Sequence, residues 1–445
     1  MKVQFSDHFT YKKLIRFTLP TIAMMIVTSI YGVVDGFFVS NFAGKTPFAA
    51  INLIMPYIMI FSTIGFIYGT GGSAIVAKTF GEGDDKRANN YFSLFVYVSF
   101  ILGVLFAGIG IVCVRPVAVM LGAQGELLEN AVLYARIVLA VLPFNTLMFL
   151  FQAFFSTAEK PQLGLVTTIS SGVMNIALDA VLVLLLPQEH KLAGAAIATA
   201  MSQVVGGVIP LVYFGRKNKS ILKIGKAKPD FKIILKATTN GSSEFMTNVS
   251  MSVVGMLYNI QLIQYAGENG VAAYGVMMYV SMIFSALFIG YVIGVAPIIS
   301  YHDGAKNHIE LKSLLKKSVR LIGGFGVCMV IAGEVLALPL ANLFAGYDKE
   351  LMELTVSGFR IFAVSFLFMG YAIFGSSFFT ALNDGFTSAI ISFLRTLVFE
   401  VAAVLLLPLI FDINGIWYSI IVAEFMAMAL SATFIIVKRK KYKYI

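Results

Sequence analysis

Charge is what this sequence has least of. Asp, Glu, Lys and Arg make up 13% of its 445 residues while 58% are hydrophobic, and the mean hydropathy is +0.86. A soluble domain carries about twice that share of charge, so the chain is expected to be an integral membrane protein. Cysteine is nearly absent: Cys113 and Cys328 lie inside apolar runs and read as free, buried thiols without a disulfide framework. The four histidines, His8, His190, His302 and His308, lack metal-ligand spacing. "GGSAIVAKT" has the outline of a phosphate loop, but Ala77 stands where a second glycine must precede Lys78, so it forms no nucleotide grip. Neither enzyme chemistry nor ATP-driven work is visible, and no cofactor is expected.

What is present is apolar length. A membrane-spanning helix needs roughly 20 mostly apolar residues, and such runs between charged or Gly/Pro-rich breaks predict twelve. They fall at 14–42, 47–78, 90–115, 126–156, 161–187, 193–215, 231–265, 270–300, 310–338, 350–380, 384–410 and 413–437. The first apolar stretch is too long for a cleavable leader and runs straight into further spans.

The net charge of +10 is an orientation signal. Lys and Arg gather in the amino-terminal segment, in alternate connections and in the final Lys438–Lys443 run, leaving Lys45, Arg115, Lys191 and Lys349 on the other side. Positive charge marks the cytoplasmic face, so both termini are expected there, with juxtamembrane lysines near anionic lipid. Nucleic-acid binding is not expected.

The chain is written twice. "NFAGKTPFAAINLIMPYIMIFS" aligns with "QYAGENGVAAYGVMMYVSMIFS", setting Ala43–Gly44 on Ala266–Gly267 and Phe61–Ser62 on Phe284–Ser285. "ELLENAVLYARI" matches "ELMELTVSGFRI", and "DAVLVLLLP" matches "EVAAVLLLP". Six spans per copy means that both copies enter the membrane in the same direction, the parallel arrangement of rocking transporters with a central site. The expected organisation is an N-lobe (1–215), a basic cytoplasmic linker (216–230) and a C-lobe (231–445), all α-helical.

"LP…YGVVDGFFVSNFAG…AAINLIMP", "GTGGSAIVAKTFGEGD", "FFSTAEKPQLGLVTTISSGVMNIALDAVLV" and "AGAAIATAMSQ" resemble multidrug and toxic compound extrusion (MATE) transporters, most of all their MepA-like and DinF-like branches. The resemblance implies a plasma-membrane carrier, monomeric and bacterial, that exports amphipathic organic cations by antiport with sodium or protons. A lipid-linked sugar flippase of the wider MOP superfamily is the rival reading; it would want a cationic cavity and usually more helices. A channel or membrane enzyme is the remote third.

Acids inside the membrane carry the functional argument. An ionised side chain at the bilayer centre costs at least ~2.5–3.5 kcal/mol, so such groups mark ion pathways. Asp35 follows basic Arg16, and Asp179 follows Lys160, by roughly 28 Å of helix, which sets both at one depth in the N-lobe. Asn175 shares the Asp179 face, one turn away. Two carboxylates and an amide oxygen suit sodium, or one carboxyl is kept neutral by its neighbour and carries a proton. The family's N-lobe cation site matches Asp35, Asn175 and Asp179, with Thr199 and Tyr134 as further oxygens and Pro20 as the helix-1 hinge.

In the C-lobe, Glu244 resembles the position of an acid in some relatives, while Glu400 aligns with Asp179 and Glu424 with Gln203. They are read as a cation or substrate site, or as structural polar contacts. The tenth span, "FMGYAIFGSSFF", lacks the acid that some relatives have there. Arg395 lies five residues before Glu400, a spacing that gives a poor shared face on an α-helix. Met55, Tyr57, Met277, Met278 and Tyr279 are the candidate substrate-cavity residues, since methionine and aromatic faces accept varied cations.

Overall fold

The protein's structure, a computed structural model, describes residues 4–345 and 348–444. Helices fill both halves, and no strand occurs among the described residues. The first half opens with α1 (Tyr11–Phe38), capped by the Thr10 hydroxyl and extended by a π-helical turn at Val39–Ala43. Gly44, at φ 117°, turns the chain into α2 (Lys45–Phe66), which continues through a second π turn into α3 (Gly72–Gly81). Asp84 caps α4 (Asp85–Met120). Then come α5 (Gly125–Ala140) and α6 (Leu142–Thr157), bent by 62° at their junction, α7 (Pro161–Leu185) and α8 (Lys191–Gly215).

The second half repeats this plan. It comprises α9 (Phe231–Asn240), capped by Asp230, and α10 (Ser242–Gly304), which is two helices meeting at Gly267. There φ 60° and ψ −150° break the helical run, a turn glycine makes at no steric cost. It continues with α11 (His308–Ala345), then α12 (Lys349–Ala363) and α13 (Phe366–Ala381), bent by 47°. The last elements are α14 (Gly385–Phe393), a π-helical segment Leu394–Glu400, α15 (Val401–Leu406) and α16 (Pro408–Tyr442), which is broken at Asp412.

Among the described residues nine helices are long and apolar enough to cross a membrane, or up to eleven when each bent pair is one span. The expected span left out of that count is the seventh, 231–265, which falls on α9 and the first part of α10, where Asn248, Ser252, Asn259, Gln261 and Gln264 interrupt its apolar run. Many of the most exposed side chains are apolar, Val112, Leu185 and Val335 among them, as a surface in contact with lipid tails requires. Cys113 and Cys328 are free thiols, but Cys328 is exposed and Cys113 half-buried. The expectation that both are buried is corrected: an apolar run in a spanning helix has a lipid-facing side as well as a packed one.

The two halves meet tightly at the basic end. A Cβ on Gly81 would stand 2.0 Å from the Tyr301 carbonyl oxygen, and one on Gly304 would stand 2.0 Å from that of Lys78. The spacing that relates Ala43 to Ala266 also relates Gly81 to Gly304 and Lys78 to Tyr301, so this is one contact made twice about a pseudo-twofold axis. Lys78 Nζ pairs with Asp303 Oδ2 across it at 2.7 Å. Asn240 Nδ2 donates to the Gly71 and Thr380 carbonyls, at 3.3 and 3.0 Å, one in each half.

The amino-terminal strap adds a second seal. Phe5 and Phe9 are 2% and 0% exposed. The Phe5 N–H donates to Glu159 of the first half at 2.8 Å, and the Phe9 N–H to Glu310 of the second at 2.9 Å. His8 Nδ1 lies 2.6 Å from the other Glu310 oxygen, and Lys317 donates to the Phe9 carbonyl. The connection between the halves is pinned to the first: the backbone N–H groups of Lys223 and Lys228 donate to the side chains of Asn89 and Asn90, at 2.7 and 2.8 Å.

Candidate functional site

Four helices of the first half converge on the acid pair. Asp35 sits near the end of α1, just before the π turn; α7 supplies Asp179 and Asn175, α8 supplies Thr199, and α5 supplies Tyr134. Asp35 faces Asp179, Asn175 and Thr199, and the Thr199 hydroxyl donates to Asp35 Oδ1 at 3.4 Å. Tyr134 faces Asp35, Asp179 and Thr199. Asp179 and Tyr134 are each 0% exposed and Asn175 2%, whereas Asp35 is half-buried.

The accounting of oxygens is one-sided. Both Asp179 oxygens, the Asn175 amide oxygen and the Tyr134 hydroxyl are buried without a hydrogen-bond partner. Buried polar groups nearly always have partners, and two carboxylates facing each other without a cation repel. Oxygens in excess of donors, converging on one point, are the arrangement that a small hard cation, or a proton on one carboxyl, satisfies. No group of three or more His, Cys, Asp or Glu that could hold a metal ion occurs among the described residues.

Pro20 lies within α1, which is helical on both sides of it. Its ring leaves the Arg16 carbonyl without a helical donor, a local weakness on the helix that carries Asp35.

The second half holds the large cavity, about 300 Å³, lined mostly by α10, α13 and the π-helical segment, with Thr70, Ser73 and Ala74 of the first half at its floor. Glu244, Glu400 and Glu424 all line it, as does Arg395. Arg395 makes a two-pronged pair with Glu424, Nη2–Oε1 at 2.6 Å and Nε–Oε2 at 3.0 Å. Glu400 faces the stacked pair Tyr258–Tyr274, whose rings are 4.9 Å apart and 9° from parallel. No basic side chain among the described residues forms an ion pair with Glu244.

Spacing argued against a direct Arg395–Glu400 ion pair, and none forms, since Arg395 pairs with Glu424; it misjudged only the shared face. Five residues are far from one turn of an α-helix, but a π-helix bonds i to i+5. The segment Leu394–Glu400 is π-helical, so both side chains reach the same cavity. The ion pair itself goes to α16, which the sequence did not reveal.

Of the proposed substrate contacts only Met278 lines this cavity. Tyr57 donates to the Gly110 carbonyl at 2.8 Å, between α2 and α4; Met55 packs within the first-half core, Met277 is fully buried, and Tyr279 is 42% exposed. Tyr258 and Tyr274 were missed; for Tyr258 its polar neighbours Asn259 and Gln261 in an expected span were the available signal, and for Tyr274 there was none.

The Arg395–Glu424 pair gives a stability prediction. Glu424 is 2% exposed, so Arg395→Met strands a buried carboxylate and should destabilise by ~3–5 kcal/mol. Adding Glu424→Leu should recover most of that loss. Thermal denaturation of the detergent-solubilised variants checks the order; equal melting temperatures for the single and double variants would refute it.

The sequence profile of the MatE family matches residues 20–181 and 245–405, one stretch in each half. The chain is 26% identical to the multidrug export protein MepA of Staphylococcus haemolyticus, over 95% of this chain and 94% of that one. Among solved structures it resembles one described as the outward-facing conformation of a multidrug resistance MATE family transporter of the MOP superfamily. The TM-score is 0.92 at 22% identity, with 98% of each chain covered. It also resembles a MOP superfamily transporter from Pyrococcus furiosus, at TM-score 0.90 and 23% identity over 98% of this chain and 97% of that one.

Proposed function

The chain belongs to the MatE family, and from that premise we propose that it is a secondary active exporter of amphipathic organic cations. Inward movement of sodium or protons drives it, and the two halves rock to give alternating access. The observation that carries this reading is the facing acid pair of Asp35 and Asp179, with both Asp179 oxygens, the Asn175 amide oxygen and the Tyr134 hydroxyl buried and unpartnered around it. The name of its staphylococcal relative, a multidrug export protein, supports the activity. In this reading it is a carrier without catalytic chemistry, a monomer of the cell membrane with both termini in the cytoplasm. The cation is cargo, and no other cofactor is needed.

Ion and drug occupy different halves in this scheme. The ion loads at Asp35, Asn175, Asp179, Thr199 and Tyr134. The drug enters the 300 Å³ cavity, where Glu244 and Glu400 face it with one cation, Arg395, already spent on Glu424. Carboxyl groups without a free basic partner, beside stacked tyrosines, favour organic cations; a lipid-linked phosphate would find no unpaired basic side chain among the described lining residues. The clasp of Gly81 and Gly304 holds the halves together at the basic end; in this reading it is the cytoplasmic gate, and the opposite end is the one that opens while it is shut. Gly267 and the bends in α5–α6 and α12–α13 are places where helices can pivot.

Sealed vesicles with an imposed sodium or proton gradient, and an ethidium-like dye as cargo, test this directly. One gradient should drive dye export; if neither does, the reading fails. Glu244→Gln should weaken dye binding about ten-fold, equivalent to ~1.4 kcal/mol, with gradient-driven turnover at saturating dye retained. Unchanged affinity by fluorescence titration would remove Glu244 from the drug site.

A further inference from the structure

Between the acid pair and the basic end, α1, α6, α7 and α8 enclose a chamber of about 10 Å³, room for one water-sized particle. Tyr31, Gln152, Thr167, Thr168 and Ser171 line it. Gln152, Thr167, Thr168 and Ser171 are 4%, 3%, 6% and 2% exposed. Gln152 Oε1 and Thr167 Oγ1 have no hydrogen-bond partner, while Ser171 Oγ donates to the Ser202 carbonyl at 2.6 Å and ties α7 to α8. An apolar filling would cost less than two orphaned buried acceptors, so the chamber calls for an occupant.

Register ties the chamber to the acid pair. On α7, Asp179, Asn175, Ser171 and Thr167 follow one another at successive turns, a single polar file on one face. On α1, Tyr31 lies one turn from Asp35. On α6, Ser156 lies one turn beyond Gln152, and its hydroxyl meets that of Thr21 at 3.4 Å. Asp35 and Thr21 are about 20 Å apart along the helix. The polar file therefore runs inside the first half, separate from the large cavity of the second, and reaches toward the end where Glu159 receives the Phe5 N–H.

We propose that the Tyr31–Gln152–Thr167–Thr168–Ser171 chamber is a relay site for a water-sized monovalent cation, hydronium or sodium, on its way from the acid pair to the basic end. This rests on the ion-coupling reading above and adds an exit that avoids the drug cavity. Gln152 Oε1 and the threonine hydroxyls supply neutral oxygens, which hold a small cation without trapping it as a second carboxylate would. A proton arrives on the chamber water and leaves along the same polar file; a sodium ion passes bare. No bond besides O–H is made or broken, and nothing is oxidised or reduced.

The test is the paired variant Gln152→Leu/Thr167→Val in proteoliposomes, beside Thr167→Ser, which keeps the hydroxyl. Dye export is measured under a sodium gradient and, separately, a proton gradient. The paired variant is expected to export at least ten-fold more slowly under whichever gradient drives the unmodified protein, with dye affinity in detergent within two-fold. Thr167→Ser should stay within two-fold in rate, and the gradient that works identifies the cation. An export rate for the paired variant within two-fold of the unmodified protein overturns the relay. If the pair lowers the yield of folded protein, Thr167→Val against Thr167→Ser decides, and equal rates overturn it. If neither gradient drives the unmodified protein, both the coupling reading and the relay fall; if a gradient works and the variants keep pace, the relay alone falls.

Discussion

Vesicles carrying the double substitution Asp35→Asn and Asp179→Asn should show no gradient-driven dye export, although the protein remains folded. Asparagine keeps the shape and one oxygen of each side chain but holds no charge for a cation or a proton. One coupled charge moving through 100 mV is worth about 2.3 kcal/mol, so uncoupling it removes roughly a fifty-fold capacity to concentrate cargo. Folding should survive, because two facing carboxylates become amides that can donate to Tyr134 or to each other. The melting temperature should hold or rise. Full export by this variant would end the ion-coupling reading, whereas a lowered melting temperature alongside lost export would recast the aspartates as structural.

The second large effect is expected at the clasp. Gly304→Val places a branched side chain where even a Cβ would stand 2.0 Å from the Lys78 carbonyl oxygen. Backbone lies on the far side of that contact, so the halves must separate or the helices must shift. Because Gly81 and Gly304 make one contact twice, either substitution should prop the basic end apart and stop transport. A cysteine at Ser73, on the floor of the cavity, reads the result in a background lacking Cys113 and Cys328. A membrane-impermeant thiol reagent supplied from the basic side should label it about ten-fold faster when Gly304 is valine, a change of ~1.4 kcal/mol in the closing equilibrium. Gly324→Ala, where an added Cβ meets nothing within 4 Å, is the control and should leave labelling unchanged. Undiminished transport by Gly304→Val would mean that the clasp is incidental.

Much of this was legible because membranes impose coarse rules. Apolar run length located most spans, and the spacing of Ala43 and Ala266 announced the duplication. Equal helical distances from Arg16 and Lys160 put Asp35 and Asp179 at one depth, and the structure sets them face to face. What was not legible depends on tertiary detail. The partner of Arg395 is on another helix, and a π-helical segment changed which residues share a face. Tyr57 looked like a cavity residue until the Gly110 carbonyl accounted for its hydroxyl. Composition also hid the strap: Phe5 and Phe9 precede the first span in a segment that reads as an ordinary polar start, and only the assembled basic end gives them a place to bury.

The pinned connection between the halves sets the mechanics of any rocking motion. Lys228 is fastened to Asn90 and Asp230 already caps α9, so only Pro229 is slack. A leash of two peptide steps reaches about 7 Å when taut. While that hydrogen bond holds, the two bundles can part little at that corner and turn about it, like a door on its post; a wide opening at the basic end would then come at the edge where Phe5 and Phe9 are buried, and they would have to let go first.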